Sequence, residues 1–437
     1  MKRKNTKALA IVGLLAVAAL GLAACSSGGN GGTGSTGGTG STSAATGGNT
    51  GGAAAGGTYT WWDPYPQHDA SSDWAKRVQD CGTAAGVTIN RTAYDTTALT
   101  NQALLAAQEG SSPDIILLDN PAISTLADTG TLATMQDLGL DTSAIDPNLL
   151  AAGVLDGKTY GIPIGANTLA LYYNKTILDA AGVDPASITD WTSLNDALAK
   201  VVASGHKGIT FAGIGTEEGS FQFLPWFWGA GADLTKLDSS QAVSALQLWT
   251  DWVKKGYAPN SVLTNSQNTT WEEFLTGDFA FGENGTWQVD SAAKAGFPTG
   301  IVQIPGETGG VAPTPTGGEF IIAPVQKDTS RYAVTKKIME CMTTPEGQMQ
   351  TATTFAYYIP PTDAGQQALL AAHPELKPWV DAVKTAKGRT SDNLGTKYPK
   401  ISEAMWTAVQ NALSGSMSPQ DALTKAQSDA QAAINNG

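Results

Sequence analysis

DGKTYGIPIGANTLALYYNK, residues 156–175, contains two strand-like runs separated by four small residues. The first run follows the Asp156-Gly157 turn and ends near Pro163. The second, residues 169–173, is apolar and rich in tyrosine, which favours a strand. Residues 165–168 lie between the runs and let the backbone change direction at little steric cost. Two strands joined in this way can share one sheet or belong to two lobes. We predict the second arrangement, a hinge between two lobes that close on a ligand.

The length and composition of the chain favour a two-domain globular protein. It has 437 residues, more than one hydrophobic core usually holds. Its 41% hydrophobic and 15% charged residues fit a well-packed interior. The formal net charge of −13 argues against nucleic acid as a partner, because phosphate binding needs clustered Lys and Arg. An acidic surface suits a secreted protein and a neutral or cationic ligand.

The N-terminus has the charge-then-apolar order of an export signal. Cationic residues among the first seven precede an apolar run at residues 8–24, which ends at Leu22-Ala23-Ala24-Cys25. Small residues before a cysteine resemble the lipobox of bacterial lipoproteins, in which that cysteine is lipidated and becomes the mature N-terminus. We therefore predict a signal peptide at residues 1–24 and a lipid anchor at Cys25, on the extracellular face of the cytoplasmic membrane. An uncleaved signal anchor is the alternative.

A segment of low complexity follows the predicted lipidation site. Residues 26–57 consist almost wholly of Gly, Ser, Thr, Ala and Asn and cannot bury enough apolar surface to offset their ordering entropy. We predict a flexible Gly/Ser/Thr tether at residues 25–57. GTGSTG at residues 32–37 matches the dinucleotide-binding fingerprint, but no strand precedes it and no helix follows it, so the match is accidental.

Alternating strand and helix patterns predict an α/β architecture for the remainder. Near the start the patterns give, in order, a strand at 58–62, a helix at 73–85, a strand at 87–92, a helix at 97–109 and a strand at 114–118. The last strand is almost continuously apolar, which suits a parallel sheet covered on both faces. Beyond the hinge, helices are predicted at 191–203 and 240–255, and Ser418 is predicted to cap the final helix.

Two cysteines remain after Cys25. Outside the cell, an even count suggests that Cys81 and Cys341 form a disulfide, which would place both in one lobe. Two separate buried thiols are the alternative.

Signals for an enzyme are few. His68, His206 and His373 are scattered without the spacing of metal ligands, and the chain lacks H-E-x-x-H, P-loop, C-x-x-C and G-x-S-x-G motifs. Carboxylates are plentiful, so counting does not exclude a glycosidase pair. The acidic segment TEEG, residues 216–219, is interpreted as a solvated loop. We predict no catalysis, no cofactor and no metal.

The aromatic residues give a stronger functional signal. The chain has 12 Trp, and many lie beside turns and polar residues rather than in helical stripes. Examples are Trp61, Trp62, Tyr65, Trp226, Trp228, Trp287, Tyr357 and Tyr358. Indole and phenol rings can stack on the apolar faces of sugars while neighbouring polar side chains bond the hydroxyls. Core packing is the alternative for each ring taken alone, but the grouping favours a saccharide site.

Several blocks of the chain resemble, in order, landmarks of the extracellular solute-binding proteins of sugar importers, the family that includes maltose-binding protein. Within residues 156–175 the resemblance lies in G-K-x-Y-G-I-P followed by L-x-Y-N-K. The later blocks are SPDII (112–116), LADTG (126–130), WEEFLTGDFAF (271–281), NGTW (284–287), GGEFII (317–322), PEGQ (345–348) and residues 406–434. The chain departs from the family pattern in lacking Gly-Lys at the small-residue crossing and a glycine after Trp287.

This resemblance implies an α/β, two-lobed periplasmic-binding-protein-like fold of type II. Each lobe is expected to be a mainly parallel sheet flanked by helices, with the ligand cleft between the lobes. The expected N-terminal lobe comprises residues 58–166 and 318–376. The expected C-terminal lobe comprises residues 167–317 and 377–437.

The resemblance also implies that ligand contacts come from loops at the carboxyl ends of strands facing the cleft. The expected contacts are Trp62, Asp63, His68, Asp119, Asn167, Gln222, Trp226, Trp287, Glu319, Tyr358 and Arg389. Trp226 and Trp287 are the expected stacking platforms. The four charged carboxylate and guanidinium groups of this set are the expected hydroxyl clamps, because charge-assisted hydrogen bonds are the stronger ones. As alternatives, Asp119 could cap the next helix and Arg389 could form a surface ion pair.

The predicted function is therefore a lipid-tethered, monomeric receptor for a mono- or oligosaccharide, which it delivers to the membrane permease of an ABC-type importer. One lobe captures the sugar, and the second closes over it because the ligand contacts both lobes in the closed state. A secreted glycoside-active enzyme is one alternative. The same fold with a peptide or metal ligand is another, of which the metal is disfavoured by the scarcity of His and Cys.

Overall fold

Residues 57–355, 357–390 and 394–435 are described by the computed structural model. The predicted signal peptide, the predicted lipidation site Cys25 and the predicted tether up to residue 56 lie outside these ranges. Within the described ranges, no helix combines the length and the apolar character needed to cross a membrane.

The strands are short and distributed along the chain. They are β1 (Thr58–Asp63), β2 (Thr88–Ala93), β3 (Ile115–Asp119), β4 (Val154–Leu155), β5 (Lys158–Thr159), β6 (Gly161–Pro163), β7 (Leu169–Asn174), β8 (Lys207–Thr210), β9 (Phe279–Gly285), β10 (Thr299–Val302), β11 (Pro315–Thr316), β12 (Glu319–Ile322) and β13 (Lys387–Gly388).

The helices occupy most of the sequence between the strands. They are α1 (Asp73–Ala84), α2 (Thr96–Glu109), α3 (Pro121–Asp128), α4 (Pro147–Leu150), α5 (Lys175–Ala180), α6 (Trp191–Ala203), α7 (Glu217–Gly229), α8 (Ser240–Lys254), α9 (Gln267–Leu275), α10 (Val289–Ala293), α11 (Tyr332–Thr343), α12 (Pro345–Gln350), α13 (Asp363–Ala372), α14 (Lys377–Thr385), α15 (Tyr398–Leu413) and α16 (Pro419–Asn435). Single turns of 3₁₀ helix lie at Ala151–Gly153, Pro185–Ser187, Asn260–Leu263, Thr286–Gln288, Thr329–Arg331, Pro374–Leu376 and Gly395–Lys397, and a π-helical turn lies at Thr351–Phe355.

Polar side chains cap the helices that the sequence predicts. The Asp95 carboxylate accepts a backbone N–H at the start of α2. Asp190 and Ser193 form a reciprocal capping box at the start of α6. Ser418 accepts the backbone N–H of Asp421 and donates to its carboxylate, so α16 begins where the sequence predicts. Local side-chain chemistry therefore determines these helix boundaries.

Two sheets organise the described residues. The first sheet has the strand order β2-β1-β3-β12-β6, and the second has the order β10-β7-β9-β8. In the first sheet β1 pairs in parallel with β2 and β3, whereas β12 pairs antiparallel with β3 and β6. In the second sheet β8 and β9 are parallel, whereas β7 runs antiparallel to β9 and β10. Both sheets are therefore mixed.

The expectation of mainly parallel sheets needs correction in one respect. Most strands of each sheet share a direction, but one reversed strand lies in the interior of each, β12 in the first and β7 in the second. The chain enters the second sheet through β7 and returns to the first sheet through β12. Both strands start at the edge where the remaining strands end, so they must run in the opposite direction.

The chain crosses between the sheets at residues 164–168 and again at residues 317–318. β6 lies in the first sheet and β7 in the second, so the two runs that flank the small residues do not share a sheet, as predicted. The crossings pair with each other, because Asn167 and Gly317 exchange backbone hydrogen bonds of 3.1 and 2.9 Å. Gly318 has a φ of +116°, and a Cβ there would lie 2.6 Å from the carbonyl oxygen of Gly165.

The packing of the cores explains why the most apolar predicted strand, residues 115–118, lies in the interior of the first sheet. Residues 115–118 of β3 are at most 1% exposed, and they alternate between two apolar clusters on opposite faces of the first sheet. The second sheet packs against a core rich in aromatic rings, in which the Phe211 and Trp249 centroids lie 4.0 Å apart. Large side chains thus fill both sides of the crossing region.

A disulfide joins Cys81 of α1 to Cys341 of α11, with an S–S distance of 2.12 Å. The two residues are 260 positions apart in sequence, and their helices pack side by side on the first sheet.

Removing this disulfide is expected to destabilise the protein. The Cys81→Ser/Cys341→Ser variant should lose about 2–5 kcal/mol of unfolding free energy, because the cross-link restricts the unfolded chain over a long loop. Urea unfolding of the oxidised protein, the reduced protein and the double variant measures the effect. Equal midpoints for the oxidised protein and the double variant would contradict the expectation.

Candidate functional site

A cavity of about 610 Å³ lies between the two sheets, on the side where most strands end. The first sheet contributes residues that follow β1 and β3 and the first residue of β12. The second contributes residues that follow β8 and β9, and α2, α9 and α15 complete the wall. Loops at the carboxyl ends of strands are the usual ligand-binding position in such folds, and the volume is typical of small-molecule sites.

A buried arginine joins the two sides of this cavity. Arg389, only 1% exposed, donates to both carboxylate oxygens of Asp119 over 2.7 and 3.1 Å and to Glu217 over 2.8 Å. Asp119 ends β3 of the first sheet, and Glu217 begins α7 after β8 of the second. The guanidinium also lies over the Phe221 ring, 4.7 Å from its centroid. The ion pair therefore links the edges of both sheets.

Burial and the neighbouring charges shift the pKa values of this ion-pair network in opposite directions. Burial disfavours the guanidinium charge, but Asp119 and then Glu217 hold the pKa of Arg389 above its ordinary value. Burial raises the pKa of Glu217 despite the neighbouring Arg389 charge. The Glu217 carboxylate also accepts hydrogen bonds from Tyr398 and Ser402 of α15. Removing one member would leave the other charges, which are buried or half-buried, without full compensation.

A third carboxylate lies at the return crossing, in contact with tyrosine hydroxyls. Glu319 is 8% exposed and accepts a 2.7 Å hydrogen bond from the Tyr65 hydroxyl, which lies 3.4 Å from the Tyr358 hydroxyl. Burial, and then the charge of Asp119, raise the pKa of Glu319 to about 7. Near neutral pH this group therefore exists in both protonation states.

Aromatic rings and neutral polar groups form the rest of the wall. Trp287, Phe221 and Trp406 line the cavity together with the Thr, Asn and Gln side chains of α2 and of the start of α9. Among the described residues, no group of three or more His, Cys, Asp or Glu is arranged to hold a metal ion. The arrangement can thus stack a ring, accept hydrogen bonds from hydroxyl or amino groups, and donate some in return.

Seven of the predicted contacts line this cavity: His68, Asp119, Asn167, Trp287, Glu319, Tyr358 and Arg389. The structure thus brings together residues from seven separate parts of the chain. Their contact with a ligand stays a prediction.

The two predicted contacts at the end of β1 lie outside the cavity wall that the described residues form. Trp62 packs edge-on against Tyr94, with centroids 5.4 Å apart, on the face of the sheet opposite to Trp61. Asp63 is fully buried and accepts two hydrogen bonds from Arg91, at 2.5 and 2.7 Å, and one from the Trp61 indole. The prediction that Asp63 binds ligand hydroxyls is therefore wrong, because both of its carboxylate oxygens already accept hydrogen bonds from Arg91.

Gln222 and Trp226 also belong to the interior. The Gln222 amide bridges the backbone N–H of Ala212 and the carbonyl of Glu283 within the second sheet. Trp226 is fully buried and donates its indole N–H to the Glu283 carboxylate over 2.8 Å. Both lie on α7, one turn apart, on the face that packs against the sheet. Trp226 is therefore a core residue, and its expected role as a stacking platform is corrected.

Sequence reasoning missed two carboxylates of the site. Glu217 and Glu218 were expected in a solvated loop, but both line the cavity at the start of α7. Glu218 accepts the backbone N–H of Gln267 over 2.9 Å. The position of the pair in the sequence was a usable signal. Glu217 and Glu218 come after β8, just as Asp119 comes at the end of β3, and residues at such strand ends face the cleft. Tyr65, Phe221 and Trp406 are further lining residues that were not predicted as contacts.

Comparison with known proteins places this chain in a family. Residues 76–378 match the family model described as bacterial extracellular solute-binding protein. The chain belongs to this family. A curated binding protein of Brucella abortus is 36% identical over 98 residues, which cover 22% of this chain and 23% of that relative. The chain thus spans about a quarter of the length of the curated relatives that it matches at this identity.

Solved structures show the same fold over most of the chain. An ABC-transporter solute-binding protein of Thermotoga lettingae, bound with α-D-tagatose, has a TM-score of 0.77 at 22% identity and covers 86% of this chain and 100% of its own. The GacH receptor of Streptomyces glaucescens, solved without ligand and with acarbose, has a TM-score of 0.75 at 23% identity and covers 87% and 99%. The two-lobed α/β fold of type II expected from the sequence is thereby confirmed.

The ion-pair network predicts a specific pattern of stabilities. Arg389→Met should cost up to about 3–5 kcal/mol of unfolding free energy, because the half-buried carboxylates of Asp119 and Glu217 would lose their partner. The matched control neutralises all three groups in Arg389→Met/Asp119→Asn/Glu217→Gln, which should recover much of the loss. Chemical unfolding measures both variants. A triple variant no more stable than Arg389→Met would contradict this account.

Glu283 predicts a pH-dependent stability. Burial raises the pKa of this carboxyl well above its ordinary value, despite the hydrogen bond from Trp226. A raised folded-state pKa contributes stability that is complete below the unfolded value and is lost as pH rises through the folded value. Unfolding midpoints of the wild type should therefore fall more steeply with pH than those of Glu283→Gln. Glu272→Gln, at an exposed position of α9, is the control and should follow the wild type. Parallel curves for Glu283→Gln and wild type would exclude this contribution.

Proposed function

We propose that the chain is the carbohydrate-binding receptor of an ABC-type importer and that it acts by binding, without catalysis. The observation that carries this proposal is the composition of the cavity between the two sheets. Trp287 and Trp406 offer apolar ring faces, and Asp119, Glu217 and Glu319 offer hydroxyl acceptors beside them. A saccharide presents the complementary surface, with apolar C–H faces and a rim of hydroxyls.

The comparisons support the same ligand class. The two structures of the same fold described above were solved with α-D-tagatose and with acarbose. Family membership supports an extracellular location. A signal peptide at residues 1–24, lipidation at Cys25 and a tether at residues 25–57 would hold the receptor at the outer face of the membrane, beside a permease.

Closure of the two lobes is the proposed mechanism. The proposed N-terminal lobe, residues 58–166 and 318–376, carries Asp119 and Glu319. The proposed C-terminal lobe, residues 167–317 and 377–437, carries Glu217 and Trp287. A ligand between them contacts both lobes only when they are close together, so its binding free energy favours the closed state. The chain crosses between the sheets at residues 164–168 and 317–318, where rotation requires few backbone changes.

A thermal-shift screen over mono- and oligosaccharides tests this function. A true ligand at about 100 times its Kd stabilises the folded state by about 2.7 kcal/mol, which raises the Tm by several degrees. The shift should largely disappear in Trp287→Ala. It should persist in Trp62→Ala, whose ring lies outside the cavity, with each variant compared with its own ligand-free Tm.

Chromatography of the same mixtures separates a receptor from an enzyme. The sugar should be recovered unchanged after incubation with the protein. Hydrolysis products would favour a glycoside-active enzyme, and the absence of any shift across the screen would overturn the saccharide receptor.

A further inference from the structure

The charged groups of the cavity do not balance. Its wall carries the carboxylates of Asp119, Glu217, Glu218 and Glu319 but a single guanidinium, Arg389. Arg389 is already engaged by Asp119 and Glu217. Burial, and then the charge of Arg91, lower the pKa of His68, so this residue adds little positive charge near neutral pH. Among the described residues, the cavity wall therefore carries more carboxyl groups than cationic groups.

Two of these carboxylates have no cationic partner among the described residues. Glu218 is held by the backbone N–H of Gln267, and Glu319 by the Tyr65 hydroxyl. Burial is the main cause that raises the pKa of both groups, and the charge of Asp119 adds to it in each case. Withdrawing such carboxylates further from water requires either a proton or a positive charge brought by the ligand.

A neutral group on the same wall also lacks a donor. Asn167 is 4% exposed, and its Oδ1 has no hydrogen-bond partner among the described residues. The indole rings of Trp287 and Trp406 line the same cavity. An ammonium group has three donors and no acceptor, and indole faces attract cations. The surplus acceptors and the aromatic rings of the wall thus both favour an ammonium group on the ligand.

We propose that the ligand is a saccharide bearing a protonated amine, and that this amine supplies the positive charge that Glu218 and Glu319 lack. The inference rests on the proposed saccharide-binding function and narrows it to a class of sugar. A field focused by a cleft of one sign would also speed the arrival of such a cation. A phosphate or carboxylate group would meet a guanidinium whose charge is already shared by Asp119 and Glu217, although its Nε–H has no hydrogen-bond partner among the described residues.

The proposal predicts the direction of proton exchange on binding. An ammonium beside Glu319 favours its ionised form, so binding at pH 6, where the free amine is already protonated, should release protons from this carboxyl. A neutral sugar withdraws the same carboxyl from water without a countercharge and should cause proton uptake instead. Burial raises the pKa of Glu217 and Glu218 as it raises that of Glu319, so a cation favours their ionised forms in the same sense. The other charged and titratable groups that face this region are Asp95, Asp119, His68, Tyr65, Tyr358 and Arg389.

Titration calorimetry with matched sugars tests the proposal. The probes are glucosamine, glucose and N-acetylglucosamine, the corresponding galactose set, and short oligomers of each. Titrations in two buffers of different ionisation enthalpy give the number of protons exchanged. The free amine should bind about 10- to 100-fold more tightly than its neutral and acetylated counterparts, with net proton release.

Variants identify the carboxylates responsible. Glu218→Gln and Glu319→Gln should each lower the ratio of amine to neutral affinity towards one. Glu272→Gln, exposed on α9 and outside the cavity wall, should leave the ratio unchanged. Ligand-free Tm values check that each variant folds.

The outcomes separate this proposal from the broader one. A neutral sugar that binds as tightly as its amine counterpart would overturn the inference and leave the saccharide receptor intact. An amine preference that survives in both carboxylate variants would also overturn it. If no saccharide of either kind binds, the proposed function fails and the inference fails with it.

Discussion

The ion pairs of Arg389 with Asp119 and Glu217 are the constraint on which the cavity depends. The guanidinium is buried there and the two carboxylates are half-buried, and the opposite charges compensate this loss of contact with water. One carboxylate ends a strand of the first sheet and the other begins a helix after a strand of the second. Arg389 itself follows β13, which pairs with β11 directly before the return crossing. This short backbone pairing places the guanidinium between the edges of the two sheets.

The fold was largely predictable because its signals are local. Apolar runs predicted the central strands, and hydrophobic patterns predicted the starts of α1, α2, α6 and α8 within a residue. The Ser418 cap predicted the start of α16, and the small residues at 165–168 marked the crossing. Strand direction within the sheets was not predictable in this way. The reversed strands β7 and β12 follow from the return of the chain between sheets, which no local pattern records.

The sequence predicted site residues only through their position at the ends of strands. Position alone cannot show whether a polar side chain at a strand end is already engaged. Arg91 engages Asp63 from β2, and Glu283 engages Trp226 from β9, so both predicted contacts became interior residues. Conversely, Glu217 looks solvated in sequence because Tyr398 and Ser402, which cover it, lie more than 180 residues away. Long-range partners decide these roles.

The same partners explain why the cavity is unequal in charge. Arg389 compensates the carboxylates of Asp119 and Glu217, and among the described residues it forms no ion pair with Glu218 or Glu319. Those two groups lie on opposite sides of the cavity, one on α7 and one on β12. A positive group between them would be attracted to both sides at once. The positive charge of the ligand would then favour closure of the two lobes as well as binding. The attraction is strongest when the two sides of the cavity are close together.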